Sequence, residues 1–313
     1  MTRTLVTGGA GFIGSHLVRR LVREGYQDVT VLDNLSRGRI GNLAAVWKSI
    51  RFCQSDIRDR SAVARLMRNA DVVFHLAAQS NVLGAVENVD NSASTNVVGT
   101  ATILQEARAA GIRRVIFTSS REVYGDPEYL PAPETAPLRP KNAYGMSKLA
   151  GEMCCAMSAR ALEAVILRLA NVYGPGDHGR VIPLFVDNAL NGRPLVLYGG
   201  KQTVDFVHVA DVVDALIRVG FGEHIGCPLN VGSGKGTTII ELAERILQLT
   251  HSDSKIEWQA SRGVEVSRFV ADITRSREML GLTHREDPLH GLPDLIASAA
   301  QEGGTPLLRG AAA

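Results

Sequence analysis

Metal-binding and disulfide patterns are missing from this chain. Its four cysteines, Cys53, Cys154, Cys155 and Cys227, include no C-x-x-C and no ligand spacing. That argues against a disulfide scaffold or zinc ribbon and fits reduced thiols in a cytoplasmic protein. The eight histidines are scattered, with no H-x-x-x-H and no carboxylate cluster, so no metal site is expected. Excess charge is also missing. Thirty-four Lys and Arg against 32 Asp and Glu leave +2, too little to favour nucleic acid or an acidic membrane surface as partner. No apolar run reaches the roughly 18 residues that a membrane helix needs. The opening MTRTLVTGG enters a strand at once, without the regions of a secretory leader. There is no internal repeat, and only the tail GGTPLLRGAAA reads as frayed.

What remains is ordinary globular composition, 45% hydrophobic and 21% charged over 313 residues, enough for one large or two modest domains. Short apolar runs at Thr4–Thr7, Val29–Leu32, Val72–Leu76, Val115–Thr118 and Val165–Leu169 read as strands. Between them, Ser15–Glu24, Ser61–Asn69, Asn96–Ala110 and Ala143–Ala161 carry apolar residues at helical spacing. This alternation predicts an α/β fold, a doubly wound parallel sheet covered on both faces. After about residue 170 the alternation loosens, and one more periodic helix, Thr238–Leu249, comes after NVGSGKG. Residues 1–170 are therefore expected to form the sheet domain. Residues 171–313 are expected to form mainly a smaller mixed α/β domain, with segments near 204–235 returning to the sheet.

The run LVTGGAGFIGSHL places Gly8, Gly11 and Gly14 straight after a strand and at the opening of a helix. Such a turn brings backbone close to a pyrophosphate and aims a helix N-terminus at negative charge. The second strand ends in Asp33, an acid that can accept hydrogen bonds from a ribose and repels a 2′-phosphate, which favours NAD over NADP. Arg37 is a counter-signal. Asp56 stands where an acid can reach the adenine amine, or where it caps a turn.

In NAYGMSKLAGE, Tyr144 and Lys148 stand four apart, on one face of a helix. A cation beside a phenol stabilises the phenolate, and such a tyrosine can take a proton from an alcohol as hydride leaves the same carbon. The third member expected is a hydroxyl at a strand end, and FTSS supplies Ser120.

Jointly, GGAGFIG, Asp33-Asn34, His75-Leu76-Ala77-Ala78, Asn96, Ser120 with Tyr144-x-x-x-Lys148, and Asn171-Val172-Tyr173-Gly174-Pro175 resemble the extended short-chain dehydrogenase/reductases. The branch is the NAD-dependent nucleotide-sugar epimerases and dehydratases, UDP-glucose 4-epimerase-like. The resemblance implies a Rossmann domain holding NAD, a smaller domain holding a nucleoside-diphosphate sugar (UDP-sugar favoured), and a homodimer formed through the helices near Asn96–Ala110 and Ala143–Ala161. It implies a cofactor surface of Gly8, Gly11, Phe12, Ile13, Gly14, Asp33, Asn34, Asp56, Ile57, Leu76, Ala77, Ala78, Asn96 and Thr118 beside Tyr144 and Lys148. On the substrate side it implies Asn171, Arg180, Val181, Tyr198 and Arg262, the last gripping a diphosphate. One departure stands out. Where relatives carry an arginine before Asp-Phe, this chain has Val204, so one phosphate or ribose contact is either missing or supplied from elsewhere, by Lys201 or Arg180.

The family's later chemistry depends on the two residues after the catalytic hydroxyl. The 4,6-dehydratases use an Asp–Glu pair there; this chain has Arg121 and Glu122. Arginine stays protonated, so Arg121 cannot be a general acid, which argues against an ordinary 4,6-dehydratase. Glu122 can serve as a base toward C5 or bond the C6 substituent. Arg121 either binds a C6 carboxylate or faces away. The leading expectation is an NAD-dependent 4-epimerase of a UDP-hexose or UDP-hexuronate. The alternatives are a C5-proton enzyme using Glu122 (a dehydratase or uronate decarboxylase) and, more remotely, a non-catalytic NAD-sensing regulator.

Overall fold

Runs such as TLVT and VVFH are wholly buried because helices cover both faces of the sheet that they form. The structure, a computed structural model, describes residues 2–302 apart from 27, 262, 264 and 284. Arg262 and the tail from residue 303 therefore lie outside the described residues.

The main sheet comprises β1 (Thr4–Thr7), β2 (Val29–Asp33), β3 (Ile50–Gln54), β4 (Val72–His75), β5 (Arg114–Ser120), β6 (Glu163–Leu169) and β10 (Leu229–Val231). Their order is β10-β6-β5-β4-β1-β2-β3, and every pairing is parallel. This is the doubly wound Rossmann arrangement. The strand order reverses between β1 and β4, which opens a crevice at the carboxyl ends of those strands.

Helices α1 (Phe12–Arg23) and α8 (Val209–Phe221) cover one face, around Leu17, Leu21, Val31, Phe74 and Leu216. Helices α2 (Arg60–Met67), α5 (Thr100–Ala109) and α6 (Ala143–Ser158) cover the other, around Val63, Val73, Ile103 and Phe117. The short α3 (Val82–Glu87) and α4 (Val89–Ala93) lead into α5. A smaller layer pairs β9 (Thr203–His208) with β7 (Asn171–Tyr173) in parallel and with β11 (Gly236–Thr238) antiparallel. Beside it β8 (Leu195–Tyr198) pairs with β12 (Ile256–Gln259). Helices α7 (Val181–Leu190), α9 (Ile239–Thr250) and α11 (Leu292–Glu302) share a core with these strands at Phe185, Leu197, Phe206 and Ile246. Helix α10 (Thr274–Leu280) packs against β10 and α8.

Two departures from the sequence reading have physical causes. The helix expected over Asn96–Ala110 is a wider π-type turn at Ser94–Gly99 followed by α5. Asn96 is recruited there to long-range hydrogen bonds with Gln79 and Ser147. Strand β5 runs on to Ser120, two residues past the expected end, because β6 pairs with it through Leu169.

His75 is fully buried and bridges the hydroxyls of Thr7 (2.8 Å) and Thr100 (2.9 Å), tying β1, β4 and α5 together. Burial, helped by the Lys148 charge, lowers its pKa to about 3. Its unfolded value is about 6.5, so between those values the unfolded chain binds the extra proton, and stability rises with pH. Denaturant titrations at pH 4 and pH 7 should show this gain in the wild type and a smaller one in His75→Gln. Equal gains would mean that another group controls the acid limb.

Candidate active site

The glycine turn is built by contacts that exclude side chains. At Gly8, with φ +72°, a Cβ would lie 2.7 Å from the Ala77 nitrogen; at Gly14 it would lie 2.1 Å from the Gly8 oxygen. Gly11 caps α1 without any side-chain acceptor, so the first-turn amides and the helix dipole are offered to an anion. Asp33, at the end of β2, accepts from the amides of Ala10 (2.9 Å) and Leu35 (2.8 Å), while its burial raises its pKa. A backbone cradle that a Cβ would fill, an uncapped helix start and an acid at the neighbouring strand end together fit a dinucleotide.

Around this cradle, Phe12 and Ile13 open α1, and Leu76 to Ala78 follow β4 against Gly8. Asn34 donates to Asp56 at 2.8 Å. Asp56 is also held by Arg58, which keeps its carboxyl well below the usual range; the cap of α2 is Asp59, not Asp56. Ile57 packs into the core against Gly99. Asn96 is buried and spends its amide on Gln79 (2.7 and 2.9 Å) and the Ser147 hydroxyl (2.8 Å), fixing the chain after Ala78 to α6. Thr118 donates to the His75 carbonyl and accepts Lys148 Nζ on its own carbonyl at 2.8 Å.

Ser120 is the last residue of β5, and Tyr144 stands in the first turn of α6. Asn142 caps that helix, accepting from the Gly145 amide at 2.8 Å. A Cβ at Gly145 would sit 2.6 Å from the Glu122 carbonyl oxygen, so the start of α6 is pressed onto the turn after β5. The expectation that Lys148 lowers the Tyr144 pKa needs correcting. Burial raises Tyr144 to about 12, opposed chiefly by Arg180 and by a hydrogen bond with Ser120. Lys148, itself buried, is lowered to about 8, and its ammonium lies 5.9 Å from the Tyr144 ring.

The charged pair does not face away. Arg121 Nη2 meets Glu122 Oε1 at 2.9 Å, and the two side chains are only 11% and 6% exposed. Glu122 Oε2 accepts from Asn142 Nδ2 at 2.7 Å. Arg121 Nη1 is buried and has no hydrogen-bond partner among the described residues. Both oxygens of the carboxylate read as a C5 base are thus occupied.

On the substrate side, Asn171 opens β7 with its buried Oδ1 lacking a hydrogen-bond partner among the described residues. Arg180 precedes α7, which Val181 begins; its guanidinium donates to the Val172 carbonyl at 3.1 Å and lies 5.7 Å from the Phe12 ring. Tyr198 ends β8, half-buried. Val204 is 5% exposed and packs in the core of the smaller layer. Of the two cations that could compensate, Arg180 is the one whose charge acts on Tyr144; Lys201 is exposed.

Two elements escaped the sequence reading. Asp177 is 6% exposed and 3.5 Å from Arg180, and burial lifts its carboxyl to about 6. Behind Ser120, Glu152 on α6 and Arg168 on β6 form a buried ion pair at 2.7 Å. Ser119 also donates to Glu152 at 2.5 Å. The acid within GPGDHGR was a visible signal for the first. The lone arginine inside VILRLA was one for the second.

A sequence profile described as "NAD dependent epimerase/dehydratase family" matches residues 4–224. The chain is 40% identical over 290 residues to UDP-glucose 4-epimerase of Mycolicibacterium smegmatis, covering 89% of this chain and 92% of that protein. Among solved structures it resembles UDP-glucose 4-epimerase of Thermotoga maritima with UDP-glucose (TM-score 0.90, 32% identity, 96% of this chain and 99% of that one). It also resembles dTDP-glucose 4,6-dehydratase of Streptomyces venezuelae with NAD bound (TM-score 0.92, 36% identity, 96% and 98%).

Proposed function

The chain belongs to the NAD-dependent epimerase/dehydratase family, and on that footing we propose that it is a UDP-sugar 4-epimerase. The observation that carries this reading is the placement of Ser120, Tyr144 and Lys148 where β5 meets α6, with an arginine, not an acid, at position 121. NAD, held by the glycine turn and Asp33, supplies the acceptor and donor of hydride at C4. Tyr144 takes the C4 hydroxyl proton and returns it, and the Ser120 hydroxyl bonds the same oxygen. Lys148, anchored on the Thr118 carbonyl, stands one turn along α6 from Tyr144, its ammonium 5.9 Å from that ring. No group at position 121 can protonate a departing C6 oxygen, so the ketone at C4 is reduced again instead of eliminating water. Support for UDP comes from the relatives, two of which are named for UDP-glucose. Incubation with UDP-glucose, UDP-N-acetylglucosamine and UDP-glucuronate, followed by proton NMR, should show inversion at C4 with at least one. Inversion with none would end this reading.

We further propose a homodimer through the helical stretch near Asn96–Ala110, which includes the π-type turn before α5, and through α6. Met146, Met153 and Met157 form one stripe along α6 at 61, 61 and 85% exposure, beside Val98 at 57%. A neighbouring exposed apolar stripe of this kind marks an interaction surface. Met153→Glu with Met157→Glu should turn a dimer into a monomer in light scattering; an unchanged mass would place the interface elsewhere. The four free cysteines fit the cytoplasm as its compartment.

A further inference from the structure

Glu122 stands where β5 meets α6: it is 4% exposed, its amide donates to the Ser120 hydroxyl at 3.2 Å, and its carboxylate accepts from Asn142, the cap of α6. A ketone at C4 acidifies the hydrogen on C5. A desolvated carboxylate with a free oxygen beside such a carbon is a competent base. An epimerase that leaves one there risks scrambling C5 in every turnover.

From the ion pair we propose that Arg121 is a fidelity residue: it occupies Glu122 so that the C4 ketone keeps its C5 proton. The proposal rests on the epimerase reading. Three observations carry it. Arg121 Nη2 covers Oε1 at 2.9 Å, and Asn142 covers Oε2 at 2.7 Å. Both side chains of the ion pair are nearly closed to water, so solvent does not compete for the contact. The backbone geometry is fixed, because residues 121–123 form a 3₁₀ turn capped by Ser120, whose hydroxyl accepts from the Glu122 amide at 3.2 Å. A guanidinium does not release its proton at any working pH, so the block does not titrate away. The unpartnered Nη1 adds a further point: the arginine is held here by Glu122 and not by a second acid among the described residues.

The step that Arg121 suppresses is redox-neutral. The C5–H bond breaks, its electron pair forms the C4–C5 enolate, and the proton passes to Glu122. Glu122 exchanges that proton with solvent and returns one to C5, which restores both the ketone and the carboxylate. In D2O that return leaves deuterium at C5.

The experiment runs the full-length enzyme with its accepted UDP-sugar in D2O and reads C4 inversion and C5 deuterium in the same NMR spectrum. The wild type should invert C4 with almost no label at C5. Arg121→Met and Arg121→Ser free Oε1 and should raise C5 label per inversion by about tenfold or more. Arg121→Lys should restore a low ratio, and adding Glu122→Gln to Arg121→Met should abolish the label. A ratio is read, so a general loss of activity does not mimic the effect. C5 label in the wild type at a rate comparable with inversion overturns the proposal, even if no variant folds. Inversion without added label in both Arg121→Met and Arg121→Ser also overturns it. Absence of wild-type inversion is a different result, which strikes the epimerase reading itself.

Discussion

Tyr144→Phe should cut kcat by about 10²- to 10⁴-fold, the usual contribution of a positioned general acid–base. The substitution removes one oxygen and little volume. Lys148 keeps its bond to the Thr118 carbonyl, and α6 keeps its Asn142 cap. KM for the sugar nucleotide should therefore move much less than kcat. Steady-state kinetics checks this, and a kcat within a few-fold of wild type would remove Tyr144 from the chemistry. The direction of the pH dependence comes from the same residue. Burial raises the phenol to about 12, and Arg180 is the first of the groups that pull it down. Activity that needs the phenolate rises with pH. Arg180→Met should move that rising limb to higher pH; a shift to lower pH would contradict the assignment.

Arg168→Met should be the most destabilising single change, at about 3–5 kcal/mol, because it strands a buried carboxylate. Arg168 donates to both oxygens of Glu152 (3.0 Å to Oε1 and 2.7 Å to Oε2), to the Tyr124 hydroxyl at 2.9 Å and to the Glu134 carbonyl at 2.9 Å. Tyr124 in turn donates to Asn230 on β10 at 2.7 Å. One guanidinium thus joins α6, β6 and β10 beside the end of β5, where Ser119 bonds Glu152. Pairing Arg168→Met with Glu152→Leu removes both charges and should recover much of the loss. Urea titration of the single and double variants decides. A double variant as unstable as the single one would show that packing, not the unpaired charge, sets the cost.

What the sequence made legible was what is local in the chain. The glycine turn, the acid ending β2 and the Tyr144–Lys148 spacing each lie within one strand–helix junction, so their geometry is set by helix and strand periods. The parallel sheet was legible because its strands are apolar on both faces. Strand β3, half-exposed at the sheet edge, and β10, only three residues long, lacked that signature. The wider turn before α5 was not legible, and the bonds that Asn96 makes within it reach Gln79 and Ser147, 17 and 51 positions away. The Tyr144 pKa was misjudged because i,i+4 spacing reports proximity and says nothing of desolvation. Arg121 and Glu122 stood side by side in the sequence. That they meet each other, while Asn142, 20 residues on, takes the second oxygen, is a tertiary arrangement that adjacency in the chain does not report.

The close approach of Gly145 to the Glu122 carbonyl bears on how such an enzyme diversifies. Strand end and helix start touch there backbone to backbone, with no room for a methyl group. Tyr144 and Ser120 are consequently carried by a single rigid joint. Mutation cannot readily retune their spacing without breaking that joint.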